Sequence, residues 1–331
     1  MTLNANESYL NGGDVMHSAL STSTAVPQKP TFREKITQLW GEMKSNWMSY
    51  LFVAPFLILF ALFVLIPIVL SIGLSFTYFN MVQAPTWVGF QNYLTLFLED
   101  EVFLIAVRNT LLFAAITGPI SYILCFVAAW LINELQPRLR SIVTLLFYAP
   151  SISANAYLIW TVMFSGDSYG YINGILLYWG IIDKPILWLQ DPTWMMPIVI
   201  LVVVWMSLGV SFLTFIAGLQ GIAPVYYEAA AIDGIRNRWQ ELWYVTLPMM
   251  RNHLMFGAII SITNSFAAAG QLQALVGPEP TDWATWTIMQ HLNDYGYVRY
   301  EMGYASAMAV LLFITMVVAQ RLVQKLLSKL G

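Results

Sequence analysis

The sequence predicts an all-α membrane protein with six transmembrane helices, and three observations support this fold class. Of 331 residues, 58% are hydrophobic and only 10% are charged, which is far from the composition of soluble domains. Six apolar runs are each long enough to cross about 30 Å of hydrocarbon, which takes roughly twenty helical residues. Lys and Arg residues concentrate in alternate connections between these runs, as they do in multi-pass membrane proteins.

Two segments precede the first apolar run. Residues 1–31 are polar and rich in Ser, Thr, Asn and Gly, so we expect a flexible tail rather than a signal peptide, which needs an apolar core. Residues 32–48 place aromatic and apolar side chains at helical spacing between basic residues. This pattern predicts an amphipathic helix on the membrane surface, with a solvated linker as the alternative.

The membrane domain is predicted to cover residues 49–328. A short apolar piece from Ile175 to Ile182 cannot span a bilayer and is expected at its interface. The predicted spans are 50–78, 103–132, 142–164, 194–219, 251–275 and 303–327.

The distribution of basic residues predicts the orientation of the chain. Twelve of fifteen Lys and Arg residues fall on one side of the predicted membrane, so that side is expected to be cytoplasmic and to hold both termini. The residues on that side are Lys29, Arg33, Lys35, Lys44, Arg138, Arg140, Arg236, Arg238, Arg251, Arg321, Lys325 and Lys329.

Residues 219–248, which we call the knuckle, form a polar, helix-forming segment between spans four and five. Pro224 can open a helix, and Glu228 is expected in its first turn, where the helix dipole favours an anion. Gly234 can end that helix in a left-handed conformation, and Asn237 can cap a second short helix. The pattern predicts a helix–turn–helix that faces the cytoplasm; a plain connecting loop with one helix is the alternative.

The residues of the knuckle resemble a known family motif. Glu228-Ala229-Ala230, Asp233-Gly234 and Leu247-Pro248, at these separations, are similar to the EAA motif of ATP-binding-cassette (ABC) importer permeases, most of all to the carbohydrate branch. The resemblance extends over residues 48–328. One departure is Val276-Gly277-Pro278, where the family often has Gly-Gly-Pro. Further similar stretches are Thr86–Tyr93, Arg108–Thr110, Phe147–Pro150 and Gly303–Ala307.

The resemblance implies a type I ABC importer permease of six helices, whose knuckle is a coupling helix docked on an ATPase subunit. Glu228 would contact the ATPase, Ala229 and Ala230 would allow close approach, and Gly234 would set the turn. The implied partners are a second homologous permease, a dimeric ABC ATPase, an extracytoplasmic solute-binding protein, carbohydrate and membrane lipid, with no nucleic acid. No nucleotide-binding loop occurs in the sequence, so ATP and Mg²⁺ would be bound by the ATPase subunits and no cofactor by this chain.

Polar side chains inside the spans are candidates for a substrate path, because such groups are costly in lipid. Ser261, Asn264 and Ser265 share one helix face, and sugars need uncharged hydrogen-bonding groups together with aromatic surfaces. Polar contacts between packed helices are the alternative role. The other candidates are Gln271, Ser207, Ser211, Trp205 and Asn155.

Two other functions are alternatives to that of a permease subunit. An ion-coupled secondary transporter would need ionisable residues at mid-depth, and the predicted spans lack them. A membrane-embedded glycosyltransferase would need clustered acidic residues, for which Glu99-Asp100-Glu101 is the one candidate; this triplet is expected to be a solvated turn. The three histidines have no metal-ligand spacing, and the single cysteine excludes a disulfide within the chain.

Overall fold

The computed structural model describes residues 45–153 and 155–328, and these divide into two units at the boundary between Ile66 and Pro67. The predicted tail and nearly all of the predicted surface helix lie outside the described residues.

The described residues are mostly helical. The α-helices are α1 Trp47–Phe60, α2 Ile66–Leu74, α3 Gln91–Leu98, α4 Glu101–Asn133, α5 Pro137–Ile152, α6 Tyr157–Met163, α7 Tyr171–Tyr178, α8 Pro192–Met206, α9 Val210–Gln220, α10 Pro224–Ile232, α11 Arg238–Glu241, α12 Leu247–Met249, α13 Arg251–Phe266, α14 Ala269–Val276, α15 Ile288–Asn293 and α16 Met302–Leu327. π-Helical turns cover Ala61–Leu65, Leu242–Thr246 and Asp294–Val298, and a 3₁₀ turn covers Thr281–Trp283.

In the described part of the chain, four helical stretches are long and apolar enough to cross a membrane. The number rises to six if each of two bent helix pairs is counted as one span. They follow the six predicted runs in order. The four are Trp47–Leu74, Glu101–Asn133, Pro192–Gln220 and Met302–Leu327; the pairs are α5 with α6, and α13 with α14.

The first span ends earlier than residue 78, where the sequence placed its end. Strand β1, Thr77–Tyr78, pairs antiparallel with β2, Thr86–Trp87, so these residues form backbone hydrogen bonds to a neighbouring strand rather than along a helix. No residue of Trp47–Leu74 is buried. A helix that is apolar on all sides suits lipid or another subunit.

In the second unit, α4 is the central helix and packs against α9 and α13. The core between them contains the fully buried rings of Phe212 and Phe215. Gly257 on α13 allows close approach, because a Cβ atom there would lie 2.4 Å from Cζ of Phe215. This packing holds α4, α9 and α13 around one centre.

The two ends of α4 define the two ends of this unit. At its C-terminal end, Glu134 Oε2 lies 2.7 Å from Nη2 of Arg238 in the knuckle, so we call this the knuckle end. Its N-terminus, capped by Asp100, lies at the opposite end, which we call the far end.

Candidate functional site

A polar cavity of about 270 Å³ lies within the second unit, between α4, α5, α8, α9, α13 and α14. None of the residues that line it is charged; hydroxyl and amide side chains predominate. A larger cavity, of about 530 Å³ between α4, α13 and α16, is almost wholly apolar and offers little to hydrogen-bond a ligand. The polar cavity is therefore the candidate binding site.

Six of the eight predicted path residues line the polar cavity: Ser207, Ser211, Ser261, Asn264, Ser265 and Gln271. The other two lie elsewhere. The Trp205 ring packs on Trp160, with centroids 5.2 Å apart, and Asn155 is exposed between α5 and α6.

Four polar residues that were not predicted from the sequence also line the cavity: Thr117, Ser121, Tyr148 and Ser151. Thr117 and Ser121 are buried on α4 at i and i+4, which puts them on the same helix face. The i, i+4 spacing of these two polar residues in the second predicted span could have indicated from the sequence that they line the path.

Breaks in three helical spans surround this cavity. α5 ends next to Ser151, α8 gives way to α9 between Ser207 and Gly209, and α13 bends by 45° into α14 after Phe266. Non-helical backbone at membrane depth is tolerated only where it is buried or lines a water-filled cavity. The breaks therefore mark this place as a polar centre within the spans.

The hydroxyl groups of the cavity are largely satisfied by the protein itself. Ser265 Oγ donates to the carbonyl of Ser261 at 2.9 Å, and Ser211 Oγ donates to the carbonyl of Gly257 at 3.3 Å. By contrast, the exposed amides of Asn264 and Gln271 have no hydrogen-bond partner among the described residues. Those two amides are therefore free to bind a ligand, as are the hydroxyls of Ser121 and Tyr148, which also line the cavity and have no partner among the described residues.

The first helix of the knuckle, α10, starts and stops as its sequence predicts. Pro224 is its first residue, and its end forms a Schellman motif. The N–H of Ile235 donates to Ala230 O at 3.0 Å, and the N–H of Gly234 donates to Ala231 O at 3.3 Å. Gly234 has φ +95°, which a residue with a side chain adopts only under strain.

One part of the knuckle prediction was wrong. Glu228 is the fifth residue of α10, beyond its first turn, because the helix begins at Pro224. Its carboxylate is exposed and has no ion-pair or hydrogen-bond partner among the described residues. The helix dipole therefore does not explain an acidic residue at this position.

The second half of the knuckle is anchored to the C-terminal end of α4. Asn237 caps α11 by accepting from the N–H of Gln240 at 2.8 Å, and a π-helical turn follows. Arg238 pairs with Glu241 at 2.8 Å as well as with Glu134. The hydrogen bond to Glu241 and the nearby charge of Glu134 raise the pKa of Arg238, against the opposing effect of partial burial.

The three parts of the motif meet in space although twenty residues separate them. Ala229, Ala230, Asp233 and Pro248 line one groove of about 560 Å³ on the knuckle. Of these, Ala230 is buried, while Ala229 and Asp233 are exposed. Leu247 is partly buried and packs against the core around Phe215. The groove gives the knuckle a concave surface at the knuckle end.

At the far end, Asp100 holds together three elements, so the interpretation of Glu99-Asp100-Glu101 as a solvated turn was wrong for Asp100. Its carboxylate accepts from the N–H of Phe103 at 2.8 Å, from Tyr304 Oη at 2.8 Å and from His291 Nε2 at 2.9 Å. Burial raises the pKa of Asp100, but these hydrogen bonds outweigh it and hold the pKa below the ordinary value.

The tautomer of His291 follows from its other partner. Trp286 Nε1, which can only donate, lies 3.0 Å from His291 Nδ1, so Nδ1 accepts and Nε2 carries the proton given to Asp100. The ring is therefore neutral in this arrangement. Within the described residues, no group of three or more His, Cys, Asp or Glu side chains could hold a metal ion.

Comparison with known proteins identifies related sequences and folds. A family model described as "Binding-protein-dependent transport system inner membrane component" matches residues 45–330. The chain is 33% identical over 276 residues to the probable ABC transporter permease protein YesP of Bacillus subtilis, which covers 82% of this chain and 87% of that protein. It is 34% identical over 215 residues to the lactose transport system permease protein LacF of Rhizobium radiobacter, covering 64% and 70%.

Among solved structures, a chain from a bacterial ABC transporter involved in the import of the acidic polysaccharide alginate is similar to this one. The TM-score is 0.69 at 25% identity, over 88% of this chain and 99% of that chain.

Proposed function

Because the chain belongs to the family of binding-protein-dependent transport system inner membrane components, we propose that it is the membrane-spanning subunit of an ATP-driven importer for carbohydrate, with oligosaccharides as the substrate class. The chain is a non-catalytic transport subunit with the fold of a type I ABC importer permease. The uncharged polar cavity at the helix breaks is the observation that carries the proposal.

The names of the relatives support carbohydrate as the cargo. LacF is a permease for lactose, and the alginate transporter imports a polysaccharide. The same cavity argues against an ion-coupled secondary transporter, because none of its lining residues is ionised at neutral pH.

The chemistry of the polar cavity suits passage of a sugar. Sugar hydroxyls both donate and accept hydrogen bonds, and an amide such as that of Asn264 or Gln271 can also do both. Most of the serine hydroxyls bond to a backbone carbonyl of their own helix, and Ser211 bonds across to α13, so they shape the wall more than they bind.

The knuckle is the proposed point of coupling. Glu228, Ala229, Ala230, Asp233, Gly234, Leu247 and Pro248 would meet an ATPase subunit, and ATP with Mg²⁺ would be bound there rather than on this chain. Arg238 links the knuckle to α4 through its ion pair with Glu134. A displacement of the knuckle would therefore be transmitted to a helix that lines the polar cavity. The free carboxylate of Glu228 is available for a partner's basic or polar group.

The remaining parts of the importer follow from the same proposal. A second homologous permease would supply the other wall of the path, and a soluble binding protein would deliver the sugar to the far end. The chain is a multi-pass membrane protein of the inner membrane; the knuckle and both termini would face the cytoplasm, in accord with the basic residues there.

Transport by the reconstituted complex tests this function. Proteoliposomes containing both permeases and the ATPase, with ATP inside and the binding protein outside, should import a labelled neutral oligosaccharide, and import should stop without ATP. Replacing Asn264 and Gln271 together with Ala should lower import about tenfold or more, because two free amides are lost.

Thr315→Ala is the matched control, since that hydroxyl donates to Leu311 O of its own helix and does not line the polar cavity. Import that continues without ATP would contradict the proposed function. Equal import by the double variant and the control would contradict the assignment of the path.

A further inference from the structure

A second cavity, of about 410 Å³, lies at the far end of the second unit, formed by α14, the segment 278–286, α15 and the π-helical turn after it. It combines the rings of Trp283 and Trp286 with the amides of Gln290 and Asn293 and the ion pair of Asp294 and Arg299. We call it the far-end cavity. Its volume is within the range of small-molecule sites, and it is separate from the polar cavity.

Gln290 is the residue that points to a ligand. It is only 4% exposed, and its Oε1 accepts from both the N–H and the hydroxyl of Thr287, each at 3.0 Å. This capping box fixes the orientation of the amide, so Nε2 is the nitrogen. Nε2 is buried and has no hydrogen-bond partner among the described residues. Buried donors are rarely left unpaired, and one beside a cavity calls for an acceptor from a ligand.

The backbone that presents the two tryptophans is strained. Asp282 has φ +51° and Trp283 has φ +56°, conformations that are costly for residues with side chains. Asn109 on α4 holds this turn in place by donating to Trp283 O at 2.8 Å and to Trp286 O at 3.0 Å. Strain of this kind persists where the surrounding structure imposes it and gathers at binding sites.

The chemistry of the lining selects a class of ligand. A pyranose ring has a face of C–H groups, which packs on an aromatic ring, and a rim of hydroxyls, which bond to amides. The Trp283 and Trp286 rings pack edge-to-face, at 68° with centroids 5.0 Å apart; Trp286 is buried, so the partly exposed Trp283 is the ring available to a sugar. Arg299 is already paired with Asp294 at 2.8 Å, so the site offers no free cation for an acidic sugar.

We propose that the far-end cavity binds one unit of a neutral saccharide, with Gln290 Nε2 donating to a sugar hydroxyl and Trp283 packing on the ring. This inference rests on the proposed function and adds to it a second binding site, which the sugar would occupy before it enters the polar cavity. A side chain of the soluble binding protein is the competing occupant, and the experiment separates the two.

Photo-crosslinking tests the site. Three diazirine-bearing trisaccharides, made of neutral hexose, pentose and uronic acid units, are added to the purified complex in nanodiscs without binding protein, and labelled peptides are mapped. Wild type should be labelled within residues 278–299 by a neutral probe in preference to the uronic acid probe.

Gln290→Glu keeps the oxygen that caps α15 but removes the donor, so labelling there should fall about tenfold. Asn293→Ala is a second variant that leaves the capping box intact and should also reduce it. Gln190→Glu, an exposed residue outside both cavities, controls for the added charge and should be labelled as wild type.

Absence of label at 278–299, equal labelling of Gln290→Glu and wild type, or preference for the uronic acid probe would each overturn the inference. Weaker binding of the soluble protein to Gln290→Glu with unchanged sugar labelling would assign the cavity to a protein contact instead. Uptake by proteoliposomes is measured with the same sugars, so ATP-driven import without label at 278–299 rejects this site and leaves the proposed function standing.

Discussion

At the scale of single residues, the described structure separates side chains that hold the protein together from side chains left free. Ser211 and Ser265 are buried and bonded to backbone carbonyls, whereas Asn264 and Gln271 are exposed and unpaired. Glu228 belongs to the free group. A residue whose polar group has no partner within its own chain can be removed with little effect on folding, so its loss reports on binding.

Glu228→Ala should leave the stability of the isolated chain within about 0.5 kcal/mol of wild type, because the carboxylate forms no bond among the described residues. Binding of the ATPase subunits should weaken, measured by co-purification and by the ATPase rate of the complex. Glu99→Ala is the matched control, since that carboxylate is also exposed and unpaired among the described residues but lies at the far end. Normal assembly of Glu228→Ala would show that the ATPase contact lies elsewhere.

Gly234→Ala should destabilise the turn by about 1–2 kcal/mol, the cost of a side chain in the left-handed conformation, although the added Cβ meets no atom within 4 Å. The sugar imported per ATP hydrolysed should fall, because the two halves of the knuckle lose their fixed angle. Gly270→Ala, in a helix with equal free space and no positive φ, should leave the sugar imported per ATP unchanged and should not lower stability. Normal coupling in Gly234→Ala would rule out a role for this turn.

At the scale of elements, the far end is held by one partly buried carboxylate. Asp100 caps α4 and receives hydrogen bonds from His291 on α15 and from Tyr304 on α16. Asn109 and Thr110 add bonds to the loop between α14 and α16, with Ile288 N–H donating to Thr110 Oγ1 at 2.9 Å. These contacts fix the segment that forms the far-end cavity.

Asp100→Ala should cost about 3 kcal/mol, because a cap is lost and two buried donors are left unpaired. Asp191→Ala removes only a cap, that of α8, and should cost about 1 kcal/mol. Thermal unfolding of both variants measures the difference. Similar losses in the two would show that the network contributes no more than the cap.

The hydrogen bonds of Asp100 predict that the stability of the folded protein depends on pH. The pKa of Asp100 is lowered in the folded protein, so its contribution to stability is complete above the unfolded-state value of about 4 and is lost as the pH falls through the lower folded value. This acid-dependent loss should be smaller in Asp100→Ala than in wild type.

Much of this organisation could be predicted from the sequence, and the misses have physical causes. Long apolar runs and the positions of Pro224, Gly234 and Asn237 indicate local structure, and local rules were sufficient for the order of the spans and for the two helix ends at Pro224 and Gly234. They misplaced the end of the first span and the position of Glu228 in its helix. The helix breaks around the polar cavity depend on contacts between spans, which no local pattern contains. Asp100 was missed for a similar reason: its partners lie about 190 and 204 positions away.

At the scale of the whole molecule, the polar cavity has no energy source of its own, and the knuckle is the part that another subunit would move. The connection requires that the knuckle and the ATPase share the cytoplasmic side, while the loops between α6 and α8 and between α14 and α16 face outward. The basic residues favour that orientation.

Cysteine labelling of intact cells and of inverted vesicles tests the central claim most directly. Cys125 is buried and is the only cysteine, so it can be replaced by Ala to give a clean background. Ile232, 87% exposed on the knuckle, and Tyr169, 96% exposed between α6 and α7, are then changed singly to Cys. The account predicts that a membrane-impermeant maleimide reaches Ile232→Cys only in inverted vesicles and Tyr169→Cys only in intact cells. Labelling of Ile232→Cys from outside intact cells would contradict it.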